Sequence, residues 1–359
     1  MLLKFFNKRP KQFLGIDIGT SSIRIVELAK NEKGISLKNY GEVKTPFIRK
    51  RPFRVFKEKT LLLSDQDTAK AIQMINLEAG IKTNEANFAI PDFSSFFTTI
   101  KLPAMSKDEI PEAIRYGIRS YVPLPLDEVT LDWIVIKGDI AKTPLKILVA
   151  AIPNNVIKQY KVIASASNLI ARVLEPEVFS LVRASVIGED RKKIVSLIDI
   201  GARTTTCSIV DHGILKKSYS FNTGGNDLTS IVAKSLNIGY NKSEAVKIMQ
   251  GLSFEKEDED AVKIRKILIP VVDLILEESK KTFRSFYRDE GKEVEKIILA
   301  GGTALLPSLK EYFATKLKKE ITIVNPFSNI QHIDMLDNAL KAVGPSYAIA
   351  LGLALKGLQ

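Results

Sequence analysis

One arrangement occurs twice in this chain and limits its fold more than any other feature. Residues 12–29 read as an apolar strand ending in Asp17-Ile18-Gly19, a turn of Thr20-Ser21-Ser22, and a second strand rich in β-branched residues. Residues 194–210 repeat the plan, with a strand ending in Asp199-Ile200-Gly201, then Ala202-Arg203-Thr204, then another apolar strand. Both copies continue through a glycine into a further strand-like run, at 34–37 and at 213–215. A hairpin repeated at this distance within 359 residues predicts two related α/β halves, and the length is that of about two globular domains.

The repeated turn has a chemistry. Phosphates need backbone N–H donors at close range, and glycine and small residues let the chain approach without a clash. Gly19-Thr20-Ser21 and Gly201-Ala202-Arg203-Thr204 supply two such turns. Magnesium held by phosphates keeps several waters, so one or two protein carboxylates suffice. Asp17 and Asp199, each closing a strand just before its turn, fit that task and would face one another across a cleft. A single Asp-x-Gly is ordinary turn sequence; the matched pair is what carries the inference. A third turn, Ala300-Gly301-Gly302-Thr303, follows the strand that begins at Lys296 and leads into a helix that Pro307 can open.

Between the halves, 86–100 reads as a strand pair, and Ser106 with Asp108 and Glu109 as the capped start of a helix reaching about Tyr121. Strand-like runs at 129–136 and 145–152 and a helix from Asn154 to Asn168 complete a small α+β module inserted in the first half. In the second half, Thr223-Gly224-Gly225 leads into a helix at 226–236, Ser243 is placed to cap another at 244–251, and a long amphipathic helix runs from about Asp260 to Asp289, kinked at Pro270. Gly344 to Leu355 makes an apolar, small-residue helix of the buried kind.

Composition narrows the partners. The net charge is +12, and residues 1–59 hold fifteen Lys/Arg against five Asp/Glu. The run Arg49 to Lys57, basic with interleaved aromatics, is equally readable as a site for anionic headgroups or phosphates and as a solvated loop. No zinc-ligand spacing or nucleic-acid motif accompanies it, so nucleic acid is not the expected partner. The stretch from Gly344 to Leu355 is too short to span a bilayer, residues 1–11 lack a signal-peptide apolar region, and the lone Cys207 cannot form an intrachain disulfide. A cytoplasmic location is the expectation.

The order of phosphate hairpin 13–28, connecting helix after Glu175-Pro176, second hairpin 196–210, Ala300-Gly301-Gly302 turn and closing helix resembles the actin, heat-shock chaperone and sugar-kinase superfamily. Within it, several stretches resemble the PilM family of cytoplasmic actin-like proteins of type IV pilus assembly. They are Leu102-Pro103-Ala104-Met105-Ser106, Ile114-Arg115-Tyr116, Tyr121 to Val129 with Asp132, Gly224 to Thr229, Asn325-Pro326-Phe327 and Ala350 to Leu355. The resemblance implies a two-lobed, duplicated ribonuclease-H-like α/β fold with an inserted α+β subdomain. Its divisions would be 1–85 and 166–190 with closing helix 341–359 (subdomain 1A), 86–165 (1C), 191–225 and 295–340 (2A), and 226–294 (2B).

The same resemblance implies ATP and magnesium in the cleft. Glu244 and Lys247, three apart on one helix face, would contact the ribose, with Gly301, Gly302 and Thr303 toward the base. It implies Glu175, with Glu177 as its rival, as the residue orienting an attacking water, and turnover that is slow at most. The implied partner is the short cytoplasmic N-terminal tail of a PilN-like membrane protein, lying in a groove between the first lobe and the inserted module. Pilus motor and platform proteins follow as further partners, with peripheral inner-membrane attachment through them. The chain departs from the family pattern in its basic 45–63 linker and in Arg203, a cation within the second turn. Two alternatives share the superfamily: a filament-forming division protein resembling FtsA, and a small-molecule kinase, for which no additional Asp-rich loop supplies a general base.

Overall fold

The repeat is carried into the backbone strand for strand. The computed structural model describes residues 12–32, 34–44, 54–57, 60–255 and 258–359. Residues 1–11 and most of the basic 45–59 stretch lie outside them. In the first half, β1 (Gln12–Ile18), β2 (Ser22–Asn31) and β3 (Gly34–Lys44) form an antiparallel meander. A separate hairpin of β4 (Arg54–Lys57) and β5 (Thr60–Leu63) precedes α1 (Asp65–Glu78), and β6 (Glu85–Ile90) returns parallel to β1. The inserted module follows as β7 (Phe96–Leu102), α2 (Ile110–Gly117), β8 (Val129–Lys137) and β9 (Leu145–Pro153). Then α3 (Asn154–Ala166), β10 (Ile170–Pro176) and α4 (Glu177–Ser185) close the half.

The second half repeats the meander as β11 (Ile194–Ile200), β12 (Thr205–Asp211) and β13 (Ile214–Phe221). Helices α5 (Gly225–Leu236), α6 (Tyr240–Gln250) and α7 (Glu259–Glu290) lead to β14 (Lys296–Ala300), α8 (Leu309–Leu317) and β15 (Glu320–Ile323), and α9 (Asp337–Leu358) ends the chain. Among the described residues the two main sheets have orders β3-β2-β1-β6-β10 and β13-β12-β11-β14-β15, the same topology written twice.

Helix α9 joins the halves. Its apolar residues Leu351, Leu353 and Ala354 sit in a core shared with Val26 and Leu28 of the first sheet and Val195, Leu197 and Ile298 of the second. It approaches both neighbours backbone to backbone: a Cβ on Gly15 would lie 1.9 Å from the Ala350 oxygen, and one on Gly352 would lie 2.0 Å from the Ser180 oxygen. The helix starts at Asp337, seven residues before Gly344, and holds Pro345 inside it. The Pro345 carbonyl is used elsewhere, accepting the Gly301 N–H at 3.0 Å.

The module is narrower than 86–165. Strand β6 lies between β10 and β1 in the first sheet, and α3 buries Val156, Tyr160 and Ile163 in that lobe's core beside Ile72 and Phe88. The strand pair read at 86–100 is therefore two strands of different sheets, because the chain passes from lobe to module through Asp92–Ser94. The remaining sheet, β7-β9-β8, alternates along β9: Ile147 and Val149 pack on Ile110 and Ile114 of α2, while Leu148, with Ile136 of β8, faces the core shared with the second lobe. Among the described residues no helix is long and apolar enough to cross a membrane, and Cys207 is free and buried.

Candidate nucleotide cleft

Both hairpin turns open onto one cleft of about 500 Å³ between the lobes. They close in the same way: the Gly19 N–H donates to the Ser22 oxygen at 2.8 Å, and the Gly201 N–H to the Thr204 oxygen at 3.0 Å. Asp17 pairs in register with Arg24 across its hairpin, and Asp199 with Thr206 across the other. The two acids thus occupy equivalent positions, and both line the cleft.

The third turn is built against the second. Strand β14 runs parallel to β11 with Ala300 beside Asp199, so the next residue must bend away at once. Gly301 does so with φ of +82°, and a Cβ there would lie 2.5 Å from both Asp199 Oδ1 and the Ile200 oxygen. A fourth piece, not counted as a site from sequence, completes this wall. The Gly225 N–H donates to the Gly201 oxygen at 2.9 Å and the Asn226 N–H to the Ala202 oxygen at 2.7 Å, seating the second turn on the start of α5.

Of the residues singled out from sequence, Asp17, Gly19, Thr20, Ser21, Asp199, Gly201, Ala202, Thr204, Glu244, Lys247, Gly301, Gly302 and Thr303 line the cleft. Arg203 does not, although it stands in the turn, and neither does Glu175. Glu175 is the last residue but one of β10, and its carboxylate receives Arg183 through Nη1 at 2.6 Å and Nη2 at 3.0 Å, while the same Arg183 Nη1 donates to the Gly352 oxygen at 2.9 Å. That geometry ties α4 to α9. Glu177, two residues on and at the start of α4, is the one on the cleft wall; its carboxylate accepts the Asp92 N–H at 3.2 Å, and Asp92 in return accepts the Val178 N–H at 3.1 Å.

Glu244 and Lys247 do share a face, but the pair is no surface ion pair. Lys247 Nζ donates to Glu244 Oε2 at 2.7 Å, to Thr229 Oγ1 at 2.9 Å and to the Gly225 oxygen at 3.2 Å, and the Thr229 hydroxyl also donates to Glu244. Burial pushes the Lys247 ammonium below its usual range, against the pull of Glu244. The lysine therefore braces α6 against the start of α5. The helix begins at Tyr240, and Ser243 lies within it, its hydroxyl donating back to the Gly239 oxygen instead of capping. Lys247→Met is expected to leave Glu244 and Thr229 half-satisfied and to cost about 2 kcal/mol in urea unfolding; an unchanged midpoint would show that the lysine braces nothing.

Sequence reading also missed Arg24. Its guanidinium lies between Glu42, at 2.8 Å, and Asp17, at 3.9 Å, and over the Tyr347 ring at 6.0 Å. Its register opposite Asp17 was the available signal. Ile248 and Leu305 are among the apolar residues of the cleft, at positions that no local motif marks.

These residues suit a magnesium nucleotide. Two glycine turns let backbone approach a polyphosphate, and the space at Gly301 that a Cβ would fill is bounded by a cleft carboxylate. Among the described residues no group of three or more His, Cys, Asp and Glu forms a metal cage. Such a cage is not needed where phosphates and waters complete the shell of a hard cation.

Comparison with known proteins agrees with this architecture. The solved structure described as the PilM-PilN type IV pilus biogenesis complex superposes with a TM-score of 0.83 at 23% identity, covering 98% of this chain and 99% of that one. The ethanolamine utilization protein EutJ of Carboxydothermus hydrogenoformans gives 0.58 at 16% identity over 96% and 90% of the two chains. MreB 5 of Spiroplasma citri bound to AMPPNP gives 0.54 at 13% identity over 95% and 94%. The fold is thus the two-lobed actin-like one. The cell division protein FtsA of Rhizobium meliloti is 22% identical over 236 residues, 60% of this chain and 52% of that protein, so the match spans about half of that relative's length. The family model described as type IV pilus assembly protein PilM matches residues 15–358, and the chain belongs to that family.

Proposed function

We propose that the chain is a nucleotide-bound scaffold of type IV pilus assembly, holding ATP and magnesium in its cleft and capturing the cytoplasmic N-terminal tail of a PilN-like membrane protein. The observation that carries the nucleotide half is the pair of equivalent turns, each preceded by an acid, opening on one cavity. The turns at 19–21 and 201–204 would cradle the phosphates, Asp17 and Asp199 would hold the metal through its waters, and Glu244 with Gly301 to Thr303 would meet ribose and base. Bound magnesium would neutralise the polyphosphate beside these two acids. Arg24 would add a cation on the phosphate side.

The tail half is supported by a solved relative that contains PilM and PilN together. The tail would lie between the first lobe and the module. Motor and platform proteins, and peripheral attachment to the inner membrane, would be reached through that partner. A calorimetric titration with Mg-ATP and a fluorescence titration with a synthetic tail peptide test the two halves separately; a folded protein that binds neither ligand overturns the proposal.

Slow turnover is part of this reading, in which Glu177, on the cleft wall where Glu175 is not, would orient the water. Glu175→Ala is expected to lower stability by about 3 kcal/mol, since it strands Arg183 in a part-buried site, while leaving any turnover per folded molecule unchanged. Glu177→Gln is expected to preserve nucleotide affinity and remove the turnover. Loss of turnover in a folded Glu175→Ala protein would reverse the assignment.

A further inference from the structure

Strand β3 brings to the cleft two charged side chains that neither glycine turn contains. Its register sets Glu42 opposite Arg24 and Lys44 opposite Ser22, and Arg24 in turn stands opposite Asp17 of β1. Side chains on a strand alternate between faces, so Ser22 and Arg24 share one face of β2, and Glu42 and Lys44 share one face of β3. The two faces are the same one, because the Arg24 guanidinium reaches Glu42 at 2.8 Å and Asp17 at 3.9 Å. All five residues line the cleft, while the intervening Ile23 points the other way, into the first lobe's core.

Three donors of this row have no protein acceptor. The Ser22 hydroxyl and the Arg24 Nε are buried without a hydrogen-bond partner, and among the described residues Lys44 makes no ion pair. An unsatisfied buried donor costs about 1–3 kcal/mol, so two on one face, beside a lysine, suit a ligand rich in acceptor oxygens. Glu244 and Gly301 to Thr303, proposed for ribose and base, belong to the second lobe, so a nucleotide seated on them extends its phosphates toward this wall. Asp17 is the proposed metal acid and Glu42 is engaged by Arg24. Lys44 is then the cation of the row with no acid of its own.

We infer that Lys44, with the Ser22 hydroxyl and the Arg24 Nε, reads the terminal phosphate and makes the cleft prefer a nucleoside triphosphate to a diphosphate. This rests on the cleft being a nucleotide site, and the test separates the two ideas. Calorimetric titrations of the full chain with Mg-ATP and with Mg-ADP measure the preference, which the parent protein is expected to show for Mg-ATP. Lys44→Met should weaken Mg-ATP roughly 10-fold and Mg-ADP less than about 2-fold, because a charged contact to one phosphate is lost. Lys44→Arg should keep the preference, and Ser22→Ala should lower it by roughly 3-fold. Lys44 is exposed at the end of its strand, so Lys44→Met is expected to keep the parent's urea midpoint. Equal affinities in the parent, or a folded Lys44→Met or Ser22→Ala protein whose ATP-to-ADP ratio is unmoved, would overturn the inference while leaving the nucleotide site intact. A parent that binds neither nucleotide would remove the cleft reading itself and this inference with it.

Discussion

Replacing Gly352 with valine is expected to cost at least about 3 kcal/mol of folding stability, a large share of the roughly 5–15 kcal/mol typical of a domain. A Cβ at this position would lie 2.0 Å from the Ser180 oxygen and 2.6 Å from the Ser180 carbonyl carbon, and backbone inside a helix cannot swing aside as a side-chain end can. Nor can α9 retreat. On its opposite side Gly15 of β1 already lies where a Cβ would meet the Ala350 oxygen at 1.9 Å and the Ala354 nitrogen at 2.5 Å. The helix is held between a strand and a helix with no slack on either side, and the Arg183 bond to the Gly352 oxygen fixes the same joint. Gly239→Ala is the matched control, because a Cβ there meets nothing within 4 Å; it should move the urea midpoint by no more than about 0.5 kcal/mol equivalent. Equal midpoints for the valine variant and the parent would show that α9 is loosely seated.

That joint marks where sequence reading stops. The hairpins were legible because strand alternation and the Asp-Ile-Gly ends are local signals, and the same signals repeated in the second half. The start of α9 was not, because Gly344-Pro345 reads as a beginning, while the folded chain tolerates Pro345 well inside the helix. Ser243 looked like a cap for the same local reason, although the helix begins at Tyr240 and Gly239 occupies the capping position. The ends of the inserted module were hidden for a different reason: β6 and α3 have the apolar patterns of any strand and helix, and only pairing between β10 and β1 assigns β6 to the lobe. Glu175 and Glu177 illustrate the finest limit. Two residues apart, one stands near the end of a strand and is tied to α9 through Arg183, while the other opens a helix on the cleft, and nothing in the local sequence says which side the cleft is on.

The acids at the strand ends admit a test in which the sign of an effect changes with the metal. If Asp199 holds the hydrated cation as proposed, Asp199→Asn with magnesium present is expected to weaken ATP binding by about 1.5–3 kcal/mol, roughly 10- to 150-fold in Kd, through loss of that charged partner. With EDTA in place of magnesium, the same change should tighten binding. A bare polyphosphate then meets one fewer negative charge across a cleft that also holds Asp17, and like charges a few ångströms apart repel by about 1 kcal/mol or more even in a watery dielectric. Asparagine keeps the shape against which Gly301 packs, so the change is one of charge. Gly301→Ala serves as the contrast: its Cβ would lie 2.5 Å from Asp199 Oδ1, at a φ of +82° that alanine tolerates poorly, so it should weaken binding with and without magnesium. Titrations of the three proteins under both conditions decide the matter. If Asp199→Asn weakens ATP equally whether or not the metal is present, then Asp199 shapes the turn and the cation is held by other groups.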